Sequence, residues 1–446
     1  MLGGGTYTTQ NKVLPGSYIN FVSAARASVT LADRGVVALP IALNWGKVGE
    51  VYTITSEDFE KNSMSLFGYA YTAPQVKPFR ELFKHAQKVH VYNLNDGEGT
   101  QASLIGSNGT FAVAKYAGVA GNQLKLVVQQ NVDDTTKYDV SLYMGNTLVD
   151  KQTGKTTDDL KDNDYVTWGA GNDLSAFVTT GINFENGENG AKSNTSYQNA
   201  LDAFEAYNFN VLCCDSTDKT VVDLFVAFTK RMRDKVGVKF QLVEGVGSGA
   251  NYEGVISVVT NGTQIIYWAA GALAGCAVNQ SCTNMSYNGE LTDRFDYTQT
   301  ELEQFIGEGK FAFHMVENEV RVLMDINSFI SSTTSDGVVT TDGGGKNELF
   351  SSNQVIRVID QCGNDTARIF NTKYLGKVQN DKSGRVSLWS DIVTHRRKLE
   401  SIRAIENYNS DDLVVSQGEK KNSVAISEVL TPTVAMEKLY MTTVIE

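Results

Sequence analysis

The hydrophobic periodicity of this chain changes twice, and those two changes bound what it can fold into. Between Leu94-Asn95-Asp96-Gly97 and Asn186-Gly187-Glu188-Asn189-Gly190 lie short alternating runs such as QLKLVVQQ (Gln123 to Gln130) and KYDVSLYM (Lys137 to Met144), separated by Gly, Asn and Asp clusters. Alternation bounded by turn residues is the pattern of β-strands. Outside this block helix and strand mix. DKTVVDLFVAFTKRMRDKV (Asp218 to Val236) sets Val221, Val222, Leu224, Phe225, Phe228 and Met232 on one broad helical face, and the strand VKFQLV follows. The chain therefore predicts an α+β, mixed α/β multidomain fold: a layered α/β core with an inserted all-β domain and extended strand arms at both ends. Expected boundaries are 1–20 for the N-terminal arm, 21–95 and 190–345 for the two parts of the core, 96–189 for the insertion, and 346–446 for a C-terminal domain with its arm.

Toward the C-terminus, GKFAFHMVENEVRVLMDI reads as two strands around Glu317-Asn318, followed by helical stretches from Asn353 to Tyr374 and from Arg385 to Asn407. DDLVVSQ, the turn GEKKN and SVAISEVL form a hairpin pattern. After Pro432 comes VAMEKLYMTTVIE, Val434 to Glu446, a β-rich run with no turn signal. A strand needs a partner, because its N–H and C=O groups otherwise stay open to any passing chain. The N-terminal end poses the same question, since Gly3 to Lys12 reads as an extended arm leading into LPGSYINF, where Pro15 and Gly16 mark a turn before a strand.

With 446 residues, 41% of them apolar, the chain can bury two or three cores. A formal charge of −12 argues against a general nucleic-acid binder, whose footprint would be basic. No apolar run approaches the roughly 20 residues of a membrane span, and MLGGGTYTTQNK lacks a signal-peptide pattern, so a cytoplasmic chain without direct membrane insertion is expected. The five cysteines are odd in number and include the neighbours Cys213 and Cys214, which favours buried thiols over a disulfide framework.

Fragments of catalytic motifs occur, and each lacks its context. Gly245, Gly247 and Ala250 match a loose dinucleotide loop, yet the residues after it, YEGVISVVT, read as a strand where the fingerprint needs a helix. Gly154-Lys155-Thr156 resembles the tail of a phosphate loop, but Val149 stands where its first glycine belongs. His85 and His90 would diverge by about 140° on a helix, and no CxxC or HExxH spacing is present. No catalytic, cofactor or metal site is expected from these residues.

The order of segments resembles the contractile tail sheath proteins of myovirus-like phages and phage-tail-like bacteriocins, in their Gram-positive form. The resemblance is carried by LPGSYINF, YAGVAGNQLKLVV, IYWAAGALAGCAVNQSCTNMSYNGE, TQTELEQFIGEGKFAF, VRVLMDINSF, NQVIRVIDQC, YLGKVQND and VAMEKLYMTTVIE. It implies a structural, non-enzymatic subunit of stacked hexameric rings around a tail tube, with an outer β insertion and an inner C-terminal domain. The partners implied are further copies of the chain, the tube protein, and baseplate and terminator proteins, with no nucleic acid. The particle would be assembled in a host bacterial cytoplasm.

The resemblance also implies roles for residues. Thr6, Tyr7, Thr8 and Val13 of one arm, and Met436, Leu439, Tyr440, Met441, Val444 and Ile445 of the other, would add strands to sheets of neighbouring subunits. Leu439, Met441 and Ile445 share one face, which defines the register. His395, Arg396, Arg397, Lys398 and Arg403 form the dense basic cluster of the C-terminal helices, either a solvated face or a surface toward the tube. An α/β enzyme of unknown class, or an adhesin using the β insertion, remains open at this point.

Overall fold

The computed structural model describes residues 31, 33–106, 108–260, 264–292, 295–330 and 346–445. The N-terminal arm, with Thr6, Tyr7, Thr8, Val13 and the LPGSYINF strand, lies outside the described residues. Among the described residues a seven-stranded sheet has the order Lys310–Phe311, Val255–Val258, Gln241–Glu244, Val211–Cys214, Val36–Ile41, Lys88–Asn93, Val51–Thr55. Neighbouring strands are parallel except the last pair, where Val51–Thr55 runs antiparallel to Lys88–Asn93. VLCC, QLVE and VISV are buried along their whole length, as a parallel sheet covered on both faces requires.

Successive side chains of these strands serve two cores. Val37, Leu39, Cys213, Val243 and Ile256 pack toward the helix Ile265–Gly275, while Ala38, Leu212, Cys214, Leu242 and Val255 pack toward the helices Asn194–Phe204 and Lys219–Lys230. The result is a helix–sheet–helix layering. The helix Ile265–Gly275 is apolar on all sides and buried from Ile265 to Ala274. Its two later glycines set its position: a Cβ on Gly271 would stand 2.3 Å from the Leu82 carbonyl oxygen, and one on Gly275 would stand 2.2 Å from that of His85.

The β insertion consists of two sheets. Thr179–Asn183, Leu124–Gln130, Tyr138–Met144 and Thr147–Gly154 form one; Gln101–Gly106, Gly109–Ala117 and Val166–Trp168 form the other. They enclose a core around Phe111, Leu126, Leu142, Val166 and Phe184. Trp45, which precedes the insertion in sequence, is fully buried in that same core and donates its indole N–H to the Ser65 carbonyl at 2.9 Å. The two strands of chain at the junction are tied by reciprocal backbone bonds between Thr100 and Glu188 at 3.0 and 2.9 Å.

In the C-terminal region the helix Asn353–Ile369 continues into a π-helical turn, Phe370–Tyr374, and packs with the helix Lys382–Ser401. The second helix begins three residues before the expected Arg385, because the Asp381 side chain caps it by accepting from the Gly384 amide at 2.7 Å. It ends before the expected Asn407, where Arg403 adopts a left-handed φ of 60°. Val414–Gln417 and Val424–Ser427 pair as an antiparallel hairpin. Buried ion pairs fasten this region to the α/β core: Arg233 grips Asp360 at 2.6 and 2.8 Å, and Arg357 meets Asp325 at 2.5 Å.

Candidate functional site

The last described segment, from Thr433 to Ile445, leaves the subunit without joining a sheet. Backbone bonds hold its base: Glu406 donates to the Thr431 carbonyl at 2.9 Å, and Thr433 donates to the Ala404 carbonyl at 3.0 Å. The Ala435 amide then reaches the Gln354 side chain at 3.0 Å, and Glu437 accepts from the Thr283 hydroxyl at 2.9 Å. Beyond that, no described strand pairs with it. Met436, Leu439, Tyr440, Met441, Val444 and Ile445 are all at least 79% exposed, an apolar content that an isolated extended chain gains nothing by showing to water.

A matching deficit lies on the Val414–Gln417/Val424–Ser427 hairpin. Among the described residues its two strands pair only with each other, so both outer edges are open, and Val414, Ile426 and Val429 are exposed. A two-stranded hairpin is marginal alone, and added strands would complete it.

The basic cluster divides in two, which corrects the reading of His395 and Arg396 as exposed cations. Both are buried, because they lie on the face of the Lys382–Ser401 helix that packs against Asn353–Ile369 and the hairpin. Arg396 forms a bidentate pair with Glu428 at 3.0 and 2.7 Å, donates to the Thr366 hydroxyl at 3.0 Å, and donates to His395 Nδ1 at 2.7 Å. Since a guanidinium only donates, His395 Nδ1 accepts and Nε2 carries the proton that meets Asp365 at 2.8 Å. Arg397 and Arg403 are exposed and Lys398 is half-buried.

The catalytic look-alikes are filled from within. Glu244, fully buried at the end of its strand, accepts from the amides of Val246, Gly247 and Ser248 at 2.7, 2.9 and 3.0 Å and from the Ser257 hydroxyl. The amides that would cradle a phosphate in a dinucleotide loop thus hold the chain's own carboxylate. Asp159 does the same for Lys155 and Thr156, at 2.7 and 3.2 Å. Burial, with the nearby Asp215 charge, pushes the Cys213 thiol far up, and burial pushes Cys214 to about 12. His85 bonds Asn288 and His90 bonds Thr53, so the two do not converge.

Glu244, Trp45 and the pairs Arg233–Asp360 and Arg357–Asp325 escape the sequence reading. A signal for two of them exists in NQVIRVIDQC, where Arg357 and Asp360 interrupt an apolar face that has no reason to carry charge unless partners wait opposite.

Comparison with known proteins completes the description. Family models match along the chain: the tail sheath protein Gp18 domain III N-terminal region at residues 34–94, the phage tail sheath protein beta-sandwich domain at 95–189, its central domain at 190–328, and the phage tail sheath C-terminal domain at 345–446. The phage-like element PBSX protein XkdK of Bacillus subtilis is 32% identical, over 98% of this chain and 99% of its own. The crystal structure of a sheath tail protein from Desulfitobacterium hafniense superposes with a TM-score of 0.80 at 34% identity, covering 96% of this chain and 99% of that one. The helical sheath of the anti-feeding prophage in its contracted state shares the fold, with a TM-score of 0.54 at 10% identity over 97% and 99% of the two chains. Among the described residues no helix is long and apolar enough to cross a membrane.

Proposed function

The chain belongs to the phage tail sheath family, and from that premise we propose that it is the structural subunit of a contractile sheath. Copies stack as hexameric rings around a tail tube, between baseplate and terminator proteins, and repack into a shorter, wider form that drives the tube through a target envelope. The work comes from repacking of subunits, without catalysis or cofactor. Assembly takes place in a host bacterial cytoplasm, and the product is a virion tail or a bacteriocin particle.

The observation that carries this reading is the coexistence, in one subunit, of an unpaired apolar segment and a hairpin with open edges. A donor and an acceptor on the same chain that do not pair with each other within the subunit can make a head-to-tail contact, and such contacts generate rings or open helices. In the proposed contact, Met436 to Ile445 of one copy adds to the Val414–Gln417/Val424–Ser427 hairpin of another, with Leu439, Met441 and Ile445 on the buried face. Thr6, Tyr7, Thr8 and Val13 are proposed to add a strand at the other end. The insertion, 96–189, projects outward and the domain 346–446 faces the tube, with Arg397, Lys398 and Arg403 toward it.

Truncation after Thr433 tests the reading. The shortened chain keeps its circular dichroism and melting temperature but no longer forms tubes or rings in negative-stain images. A truncated chain that unfolds, or one that still polymerises, overturns the donor role of the segment.

A further inference from the structure

The methionines of the described residues fall into two groups. Met144 and Met232 are buried in the β core and in the α/β core, and Met64, Met285, Met315 and Met324 are half-buried. Met436 is fully exposed and Met441 is 79% exposed, and both lie on the unpaired C-terminal segment. From Thr433 to Ile445 that segment carries no cysteine, so the two thioethers are its peroxide-reactive groups.

Their places on the segment differ. Met436 sits at the base, between Ala435 and Glu437, the residues tied to Gln354 and Thr283 of the same subunit at 3.0 and 2.9 Å. Met441 lies beyond the last of those bonds, and in an extended strand it shares a face with Leu439 and Ile445, whereas Met436 falls on the other face. An unbranched, polarizable thioether fits an irregular apolar contact well, and its sulfoxide does not.

We propose that Met441 is a peroxide-modification site that controls entry of the subunit into a polymer: oxidised while the segment is free, it bars strand addition, and once added to another copy it is shielded. This rests on the donor role given above to Met436 through Ile445. In the reaction the Met441 sulfur attacks one oxygen of hydrogen peroxide, an S–O bond forms and the O–O bond breaks. The departing hydroxide takes the proton of the transferred hydroxyl and leaves as water. The sulfur loses two electrons and peroxide gains them, which leaves a sulfoxide. Its oxygen is a strong acceptor with no proton to give. Beside Leu439 and Ile445 in a strand contact it would lose its water without gaining a donor, and such burial opposes association. Met436, at the base and on the opposite face, is oxidised as readily without that consequence.

The test treats the full-length unpolymerised chain with hydrogen peroxide, then with dithiothreitol, which reverses thiol disulfides and sulfenic acids and leaves methionine sulfoxide in place. Peptide mapping is expected to show about 16 Da added at Met436 and Met441 before Met144 or Met232 gains oxygen. The lowest concentration that yields tubes or rings in negative-stain images should rise about tenfold or more, and methionine sulfoxide reductases should restore it. Met441→Leu is expected to polymerise equally well before and after peroxide, while Met436→Leu stays as sensitive as the parent chain. In preformed tubes Met441 should escape oxidation. A Met441 sulfoxide chain that polymerises at the parent concentration, or a Met441→Leu chain that peroxide still disables, overturns the proposal and leaves the donor role standing. An untreated parent chain that forms no tubes or rings overturns the donor role, and this inference with it. If Met441→Leu does not polymerise before treatment, repair by the reductases decides: assembly that does not return when the Met441 sulfoxide is reduced overturns the proposal.

Discussion

Gly271 has no φ that requires glycine; its reason is space. Any side chain there would drive a carbon into the Leu82 carbonyl, at 2.3 Å, so the helix Ile265–Gly275 or the Lys77–Leu82 helix must shift. Gly271→Ala is expected to lower stability by about 1–3 kcal/mol, the cost of overpacking, read by urea unfolding. Arg233→Ala costs more, about 3–5 kcal/mol, because it strands Asp360 in the core without its bidentate partner. Asp365 gives a pH dependence. Burial opposes its ionisation, but hydrogen bonds from His395 and Gln361 outweigh that and hold its carboxyl below the ordinary range. A depressed carboxyl contributes stability above its unfolded pKa of about 3.9 and loses it as pH falls through the folded value. Unfolding curves from pH 6 downward should therefore show a decline below about pH 4, and Asp365→Asn should make that decline shallower.

One helix, Lys382–Ser401, carries two kinds of basic residue, and its orientation separates them. Arg396 is structural: its guanidinium joins Glu428, next to the hairpin, to Thr366 on the preceding helix. Arg396→Glu is expected to destabilise the C-terminal region, visible as an early unfolding step, and so says nothing about a tube. Arg397 and Arg403 are exposed, and charge reversal there is expected to leave the fold intact. Exposed ion pairs contribute about 0–1 kcal/mol each and weaken with salt, which suits the proposed contact with a tube. The double variant Arg397→Glu, Arg403→Glu is expected to melt like the parent chain and to form tube-free cylinders in place of extended sheath on a tube. Extended tails that persist at low and physiological salt would assign these residues to a solvated face.

At the scale of the whole molecule, the insertion is a separate core whose boundary does not follow the sequence. Trp45, Met64 and Tyr69 belong to the host segment and pack into or against the β core. Replacing 96–189 by a Gly/Ser linker therefore exposes an indole that is fully buried in the intact chain. The deletion is expected to aggregate with Trp45 in place and to stay soluble with Trp45→Ser. Tube formation by that second variant would place the insertion outside the assembly contacts; a soluble variant unable to polymerise would give it a part in them.

Local pattern in the sequence determined the elements: alternation gave the strands of the insertion, apolar periodicity gave Lys219–Lys230 and its continuation to Val236, and Glu317-Asn318, both at positive φ, gave the hairpin turn. These features are short-range, so neighbours in sequence suffice to specify them. Strand order, the burial of His395 and Arg396, the self-filled glycine loop at Glu244 and the meeting of Arg357 with Asp325 come from residues far apart in the chain, and only tertiary packing brings them together. The C-terminal segment shows both limits at once. Its β-rich composition is plain in the sequence; that no described strand of its own subunit pairs with it could be known only once every other edge had been placed.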